Sequence, residues 1–151
     1  MKYAIFPQAY LSVGEKFFIF DLQTCEANIM AKGAKILVID DSNTNVVLLD
    51  VVLQKEGYEV ITASSAREAL AYLEKDKPDL ILLDILMPQT NGLELLEKIR
   101  QEPKLADLPV IMITAVGNEN YKEKAQKLGA VDYFEKPIDV TQVIKKIKSV
   151  L

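Results

Sequence analysis

From residue 34 onward, short apolar runs alternate with longer amphipathic segments, whereas the first 33 residues follow neither pattern. The runs 36–39, 59–62, 80–83, 110–113 and 131–134 have the length and composition of strands. Between them, 43–56, 66–75, 93–102 and 119–128 predict helices, and a fifth spans 139–150. In this last segment Val140, Val143, Ile144, Ile147 and Leu151 recur at three- and four-residue spacing, which predicts one buried stripe. The boundary residues agree. Gly57 and Gly129 fall where helices end in the left-handed region, and Ser65 with Glu68 fits a reciprocal capping box. Strands each followed by a helix build a parallel sheet through right-handed crossovers, a doubly wound α/β architecture with helices on both faces. Ligands of such sheets lie outside the carboxyl ends of the strands. The residues there are Asp40 and Asp41 after the first run, Asp84 after the third, Thr114 after the fourth and Lys136 after the fifth.

Composition narrows the chemistry. The 151 residues include no His, no Trp and one Cys. No histidine means no Ser/His/Asp triad, no Cys/His dyad and no His-ligated zinc or haem. One cysteine, Cys25, provides neither an intrachain disulfide nor a CxxC site. The formal net charge of −4 lacks the basic footprint of a nucleic-acid-coating surface, so no direct nucleic-acid binding is expected. No apolar run approaches the ~20 residues that span a bilayer, and Pro7, Gln8, Ser12, Gly14, Glu15 and Lys16 interrupt any secretory h-region. No membrane insertion and a cytoplasmic location are the expectations.

Taken singly, each strand-end residue has a structural use. An aspartate between strand and helix caps or turns, a threonine is a good β-former, and a lysine before Pro137 is a solvated loop residue. Taken together, two adjacent carboxylates facing a third in a cleft must shift their pKa values, bind a cation or cost stability. Oxygen-only ligands without His or Cys suit Mg2+, which keeps several waters and takes a phosphate alongside the carboxylates. An Asp nucleophile, a neutralising metal and Lys, and a donating Thr hydroxyl fit phosphoryl transfer.

These residues lie in a series of short motifs: Ile36-Leu37-Val38-Ile39-Asp40-Asp41, Leu82-Leu83-Asp84-Ile85-Leu86-Met87-Pro88 with Gly92, Ile113-Thr114-Ala115, and Tyr133-Phe134-Glu135-Lys136-Pro137. Successive site residues Asp40, Asp84, Thr114 and Lys136 are 44, 30 and 22 positions apart. In that order and at those spacings, the segment 34–151 resembles the receiver domain of bacterial response regulators in two-component signalling. The resemblance implies a flavodoxin-like five-stranded parallel sheet of order 2-1-3-4-5 with five helices. It further implies that Asp84 accepts a phosphoryl group from a histidine kinase or phosphotransfer protein. Asp40, Asp41, Asp84 and the Leu86 carbonyl would hold Mg2+. Lys136 and Thr114 would contact the phosphoryl oxygens, Tyr133 would change rotamer with Thr114 as the switch, and the Lys136–Pro137 peptide would be cis. Leu86 and Val116 occupy the positions that in this family influence a hydrolytic water; both are apolar, which implies slow intrinsic dephosphorylation.

Such a domain catalyses only its own phosphorylation and dephosphorylation and otherwise works as a switch. Three other readings share parts of the pattern. An aspartyl-phosphate phosphatase wants an acid where Leu86 stands, and an FMN binder wants a Ser/Thr/Gly phosphate loop where Asp40 and Asp41 stand. A receiver-like interaction module that is never phosphorylated would not need the full residue set. Only one helix follows Lys136, so no output domain is expected after it. The product is therefore expected to act on a downstream target protein through the fourth helix, fifth strand and fifth helix. Lys122, Lys124, Lys127, Lys145, Lys146 and Lys148 on those helices are either a recognition patch or solvated surface. Residues 1–33 carry Tyr3, Phe6, Tyr10, Phe17, Phe18 and Phe20 and form either a real extension, with Phe17 to Phe20 a strand or docking segment, or a stretch upstream of a start at Met30. Without histidine, the chain must take its phosphoryl group from another protein or a small donor.

Overall fold

The computed structural model describes residues 11–13, 16–18, 33–115 and 117–151. The chain divides into two compact units, Met1–Met30 and Ala31–Leu151. In the first, β1 (Leu11–Val13) pairs antiparallel with β2 (Lys16–Phe18), with Leu11 opposite Phe18. A strand thus covers Phe17 and Phe18, while Phe20, Cys25 and Met30 lie outside the described residues.

The second unit alternates strand and helix: β3 (Lys35–Ile39), α1 (Asn43–Lys55), β4 (Glu59–Ala63), α2 (Ala66–Leu73), β5 (Leu80–Asp84), α3 (Gly92–Gln101), β6 (Val110–Thr114), α4 (Glu119–Lys127), β7 (Asp132–Glu135) and α5 (Val140–Val150). The sheet order is β4-β3-β5-β6-β7, all parallel, so the five strands run 2-1-3-4-5 as expected. Strands with helices on both faces must be apolar on both sides. Accordingly β5 and β6 are buried throughout, and the edge strands β4 and β7 are not.

Alternation along each interior strand divides the core. Leu37, Ile39, Ile81, Leu83, Val110 and Met112 pack with residues of α2, α3 and α4. Ile36, Val38, Leu80, Leu82, Ile111 and Ile113 pack with Leu49 and Leu53 of α1 and Val143 and Ile147 of α5. The predicted stripe of α5 therefore holds at Val143 and Ile147, but Leu151 lies past the last helical residue and is 41% exposed.

Several boundaries shift for identifiable reasons. Asp84 and Thr114 are the last residues of their strands, because Asp84 pairs with Ile113 and Thr114 with Glu135 in the ladders. Gly57 and Gly129 do adopt positive φ, 91° and 77°, after the helices they end. The capping box is altered: Ser65 Oγ accepts from the Glu68 N–H at 3.2 Å, but the Glu68 carboxylate reaches back to Ser64, accepting from its N–H at 2.8 Å and its hydroxyl at 3.0 Å. On the α4 side, the Arg100 guanidinium donates to the carbonyls of Leu108, Leu128 and Gly129, tying α3 to the end of α4 and the entry to β6.

Candidate functional site

The parity that divides the core also sorts the strand ends. Asp40 continues the alternation of Ile36 and Val38, and Asp84 that of Leu80 and Leu82, so both emerge on the α1/α5 side. Thr114 continues that of Val110 and Met112 and emerges on the α4 side with Tyr133. Among the described residues, Asp40, Asp84 and Thr114 are the buried polar ones, each no more than 3% exposed.

On the first side the Lys136 ammonium donates to Asp40 Oδ2 at 2.8 Å and lies 3.4 Å from Asp84 Oδ2. Asp40, Asp41 and Asp84 each offer one carboxylate oxygen, all within 4.8 Å of one another, and Asp41 is exposed. The loop holding Lys136 is set by its own N–H, which donates to the Thr114 carbonyl at 2.7 Å, and by a cis Lys136–Pro137 peptide. Asp84 is placed by the close approach of α3. The Gly92 N–H donates to the Ile85 carbonyl at 2.8 Å, and a β-carbon at Gly92 would collide with the Asp84 carbonyl oxygen.

The electrostatics follow from two buried carboxylates, Asp40 and Asp84, sharing one ammonium. Burial, then the Asp40 charge, pushes the Asp84 pKa up to about 6, against the opposing pull of Lys136 and the Leu86 N–H. Burial works to lower the Lys136 pKa, but hydrogen bonding to Asp40 and the charge of Asp84 leave it raised. Asp84 Oδ1 is buried and accepts no hydrogen bond. An oxygen-only donor set with an unpartnered buried carboxylate oxygen fits a hard divalent cation.

On the second side, burial and then the Glu135 charge raise the Tyr133 pKa, and the Thr114 hydroxyl lies near enough to oppose that rise. Thr114 Oγ1 nevertheless makes no hydrogen bond of ordinary length and angle, to Tyr133 or to the carboxylates. Leu86 is 40% exposed beside Asp84, and Val116 lies outside the described residues.

Two contributors escaped the sequence reading. The Ser42 N–H donates to Asp40 Oδ1 at 2.8 Å, and Asn45 Nδ2 donates to Asp40 Oδ2 at 3.3 Å. No spacing motif marks Asn45; only its position in the first turn of the helix after Asp40 brings it back to the strand end.

With this geometry established, the model of the response regulator receiver domain matches residues 36–148. The chain belongs to the response-regulator receiver family. Over 117 residues it is 42% identical to the alkaline phosphatase synthesis transcriptional regulatory protein PhoP of Bacillus subtilis, covering 78% of this chain and 48% of that protein. The chain thus spans about half the length of such curated relatives. It is 35% identical over 118 residues to protein PilH of Pseudomonas aeruginosa, covering 78% of this chain and 98% of PilH. A solved structure of response regulator protein TrrA from Thermotoga maritima, in complex with Mg2+ and BeF, superposes with a TM-score of 0.70 at 35% identity, covering 78% of this chain and 99% of that one. Receiver domains are phosphorylation-activated signalling switches that bind Mg2+ at an acidic pocket and depend on an upstream kinase or phosphotransfer partner. Among the described residues, no helix is long and apolar enough to cross a membrane.

Proposed function

We propose that residues 34–151 form a receiver in which Asp84 is the phosphoacceptor. The supporting observation is Asp84 itself: buried at a strand end, with one carboxylate oxygen unpartnered, facing Asp40 and Asp41 and within reach of a single ammonium. An Asp84 carboxylate oxygen forms the bond to phosphorus as the P–N bond of a phosphohistidine on the partner kinase or phosphotransfer protein breaks, and the released imidazole stays with the partner. Asp40, Asp41, Asp84 and the Leu86 carbonyl would hold Mg2+, which when bound offsets the charge of the phosphoryl oxygens. Lys136 is poised to exchange a carboxylate oxygen for a phosphoryl oxygen. Thr114, whose hydroxyl has no regular partner, would donate to another, and Tyr133 beside it would respond to that movement.

The switch would work in the cytoplasm and signal by binding a downstream protein through α4, β7 and α5. Lys146 and Lys148 form ion pairs, at 3.0 Å from Asp132 and 2.6 Å from Glu56, so Lys122, Lys124, Lys127 and Lys145 would be the candidates for a recognition patch. Residues 1–33 would be either an extension beside the receiver or a stretch upstream of a start at Met30; a native intact mass beginning near Met30 would rule out the extension.

The deciding experiment is incubation with beryllofluoride or acetyl phosphate and Mg2+, comparing wild type with Asp84→Ala. A metal-dependent change in the wild type and none in the variant is expected; no change in the wild type overturns the phosphoswitch. With Leu86 apolar, the purified phosphoprotein should hold its phosphoryl group well beyond seconds at neutral pH.

A further inference from the structure

Asp40 accepts three hydrogen bonds, and they are unevenly secure. Oδ1 takes the Ser42 N–H at 2.8 Å, while Oδ2 takes the Lys136 ammonium at 2.8 Å and the Asn45 amide at 3.3 Å. Lys136 is shared with Asp84 Oδ2, 3.4 Å away, and the phosphoacceptor reading requires it to turn toward an incoming phosphoryl group. Once it does, Ser42 alone would hold one oxygen of a carboxylate whose terminal torsion is soft, with broad rotational wells. Asn45 is then the remaining donor to the other oxygen.

We propose that Asn45 is a positioning residue for the acidic pocket, holding the Asp40 carboxylate in its ligating orientation when Lys136 leaves it. The inference rests on the receiver reading of Asp40 as a metal ligand. Two features suit Asn45 to the task. It sits in the first turn of α1, a helix anchored by Leu49 and Leu53, each at most 2% exposed, so its donor is fixed against the sheet. Its amide is neutral, so it donates to Asp40 without adding charge to a cluster already holding three carboxylates. Outer-shell donors of this kind fix the orientation of the ligands they contact, and their loss weakens metal binding by about 10- to 100-fold.

The test is an Mg2+ titration of the full chain in the presence of beryllofluoride, which stands in for the phosphoryl group and draws Lys136 from Asp40, followed by amide chemical shifts, for wild type, Asn45→Ala and Asn45→Gln, alongside thermal midpoints in EDTA. Alanine is a better helix former than asparagine, so Asn45→Ala should fold. It should bind Mg2+ about tenfold more weakly and need correspondingly more beryllofluoride, with an unchanged midpoint in EDTA, and Asn45→Gln should recover part of the loss. Wild-type binding matched within about twofold by Asn45→Ala overturns the inference alone. So does a lower midpoint in EDTA with unaltered Mg2+ affinity, which marks a merely structural hydrogen bond, and so does equal loss in Asn45→Ala and Asn45→Gln. No Mg2+ response in the wild type overturns the receiver reading itself, and the inference with it.

Discussion

Carboxylates gather around a lysine at both ends of this sheet, and the two clusters behave in opposite ways. At the amino ends of the strands, Lys35 Nζ lies 2.6 Å from Asp76 Oδ2, the Lys35 N–H donates to Asp79 at 2.7 Å, and the Tyr72 hydroxyl donates to Asp76 at 3.3 Å. Hydrogen bonds from Lys35 and the Lys77 N–H hold the Asp76 pKa below its usual value. At the carboxyl ends, Lys136 meets Asp40 and Asp84, yet the Asp84 pKa is pushed up to about 6. The Asp76 side chain is 46% exposed and that of Asp84 is 3% exposed. Water and paired donors stabilise charge in one cluster, while burial and an excess of carboxylates penalise it in the other. Residue type therefore does not distinguish a reactive cluster from a surface ion pair; desolvation and unmatched charge do.

Removing each lysine is the strongest way to break that comparison. Lys136→Met leaves buried carboxylates without their ammonium and should cost about 3 kcal/mol in EDTA, read by denaturant unfolding, with Mg2+ restoring much of the loss. A loss that Mg2+ does not reduce would count against a cation site.

The next largest effect is pH dependence. The folded pKa of Asp84, about 6, exceeds the ordinary value of 3.8, so its contribution to stability is fully present below 3.8 and is lost as pH rises through 6. Metal-free wild type should therefore lose up to about 3 kcal/mol between those limits, and Asp84→Asn should be the more stable protein above pH 7. Equilibrium unfolding of both at several pH values checks this. The gap should close as pH falls below 3.8, where Asp84 is protonated in both states, and adding Mg2+ should reverse it at neutral pH. A gap that does not change with pH would refute the electrostatic account.

The smallest effect belongs to the exposed cluster. Asp76→Asn should lower the thermal midpoint only slightly, by an amount that high salt removes, and should leave the Mg2+ response intact. A changed Mg2+ response would mean the two ends are coupled.

Much of the fold was legible because its signals are local. Continuous apolar runs marked β5 and β6, three- and four-residue spacing marked the inner face of α5, and Gly57 and Gly129 ended their helices where positive φ was required. The misread details depend on neighbours distant in sequence or on chain direction. Asp84 and Thr114 belong to strands because Ile113 and Glu135 pair with them, and Leu151 is exposed because it follows the final helical turn. Asn45 was invisible because a single amide five residues after Asp40 has no periodic signature.

The sequence by itself determined which side chains arrive at the carboxyl ends of the strands, since strand and helix periods and the order of the motifs are written along the chain. The receiver family and its five-stranded order follow from the same residues. Only the tertiary structure decided how those side chains divide: Asp40, Asp84 and Lys136 in contact on the α1/α5 side, Thr114 beside Tyr133 on the other. Strand parity assigns each residue a face, but which faces meet, and how much water they lose, depends on pairing between strands far apart in the chain. That loss of water makes Asp84 an unsatisfied carboxylate, whereas Asp76 remains an ordinary one.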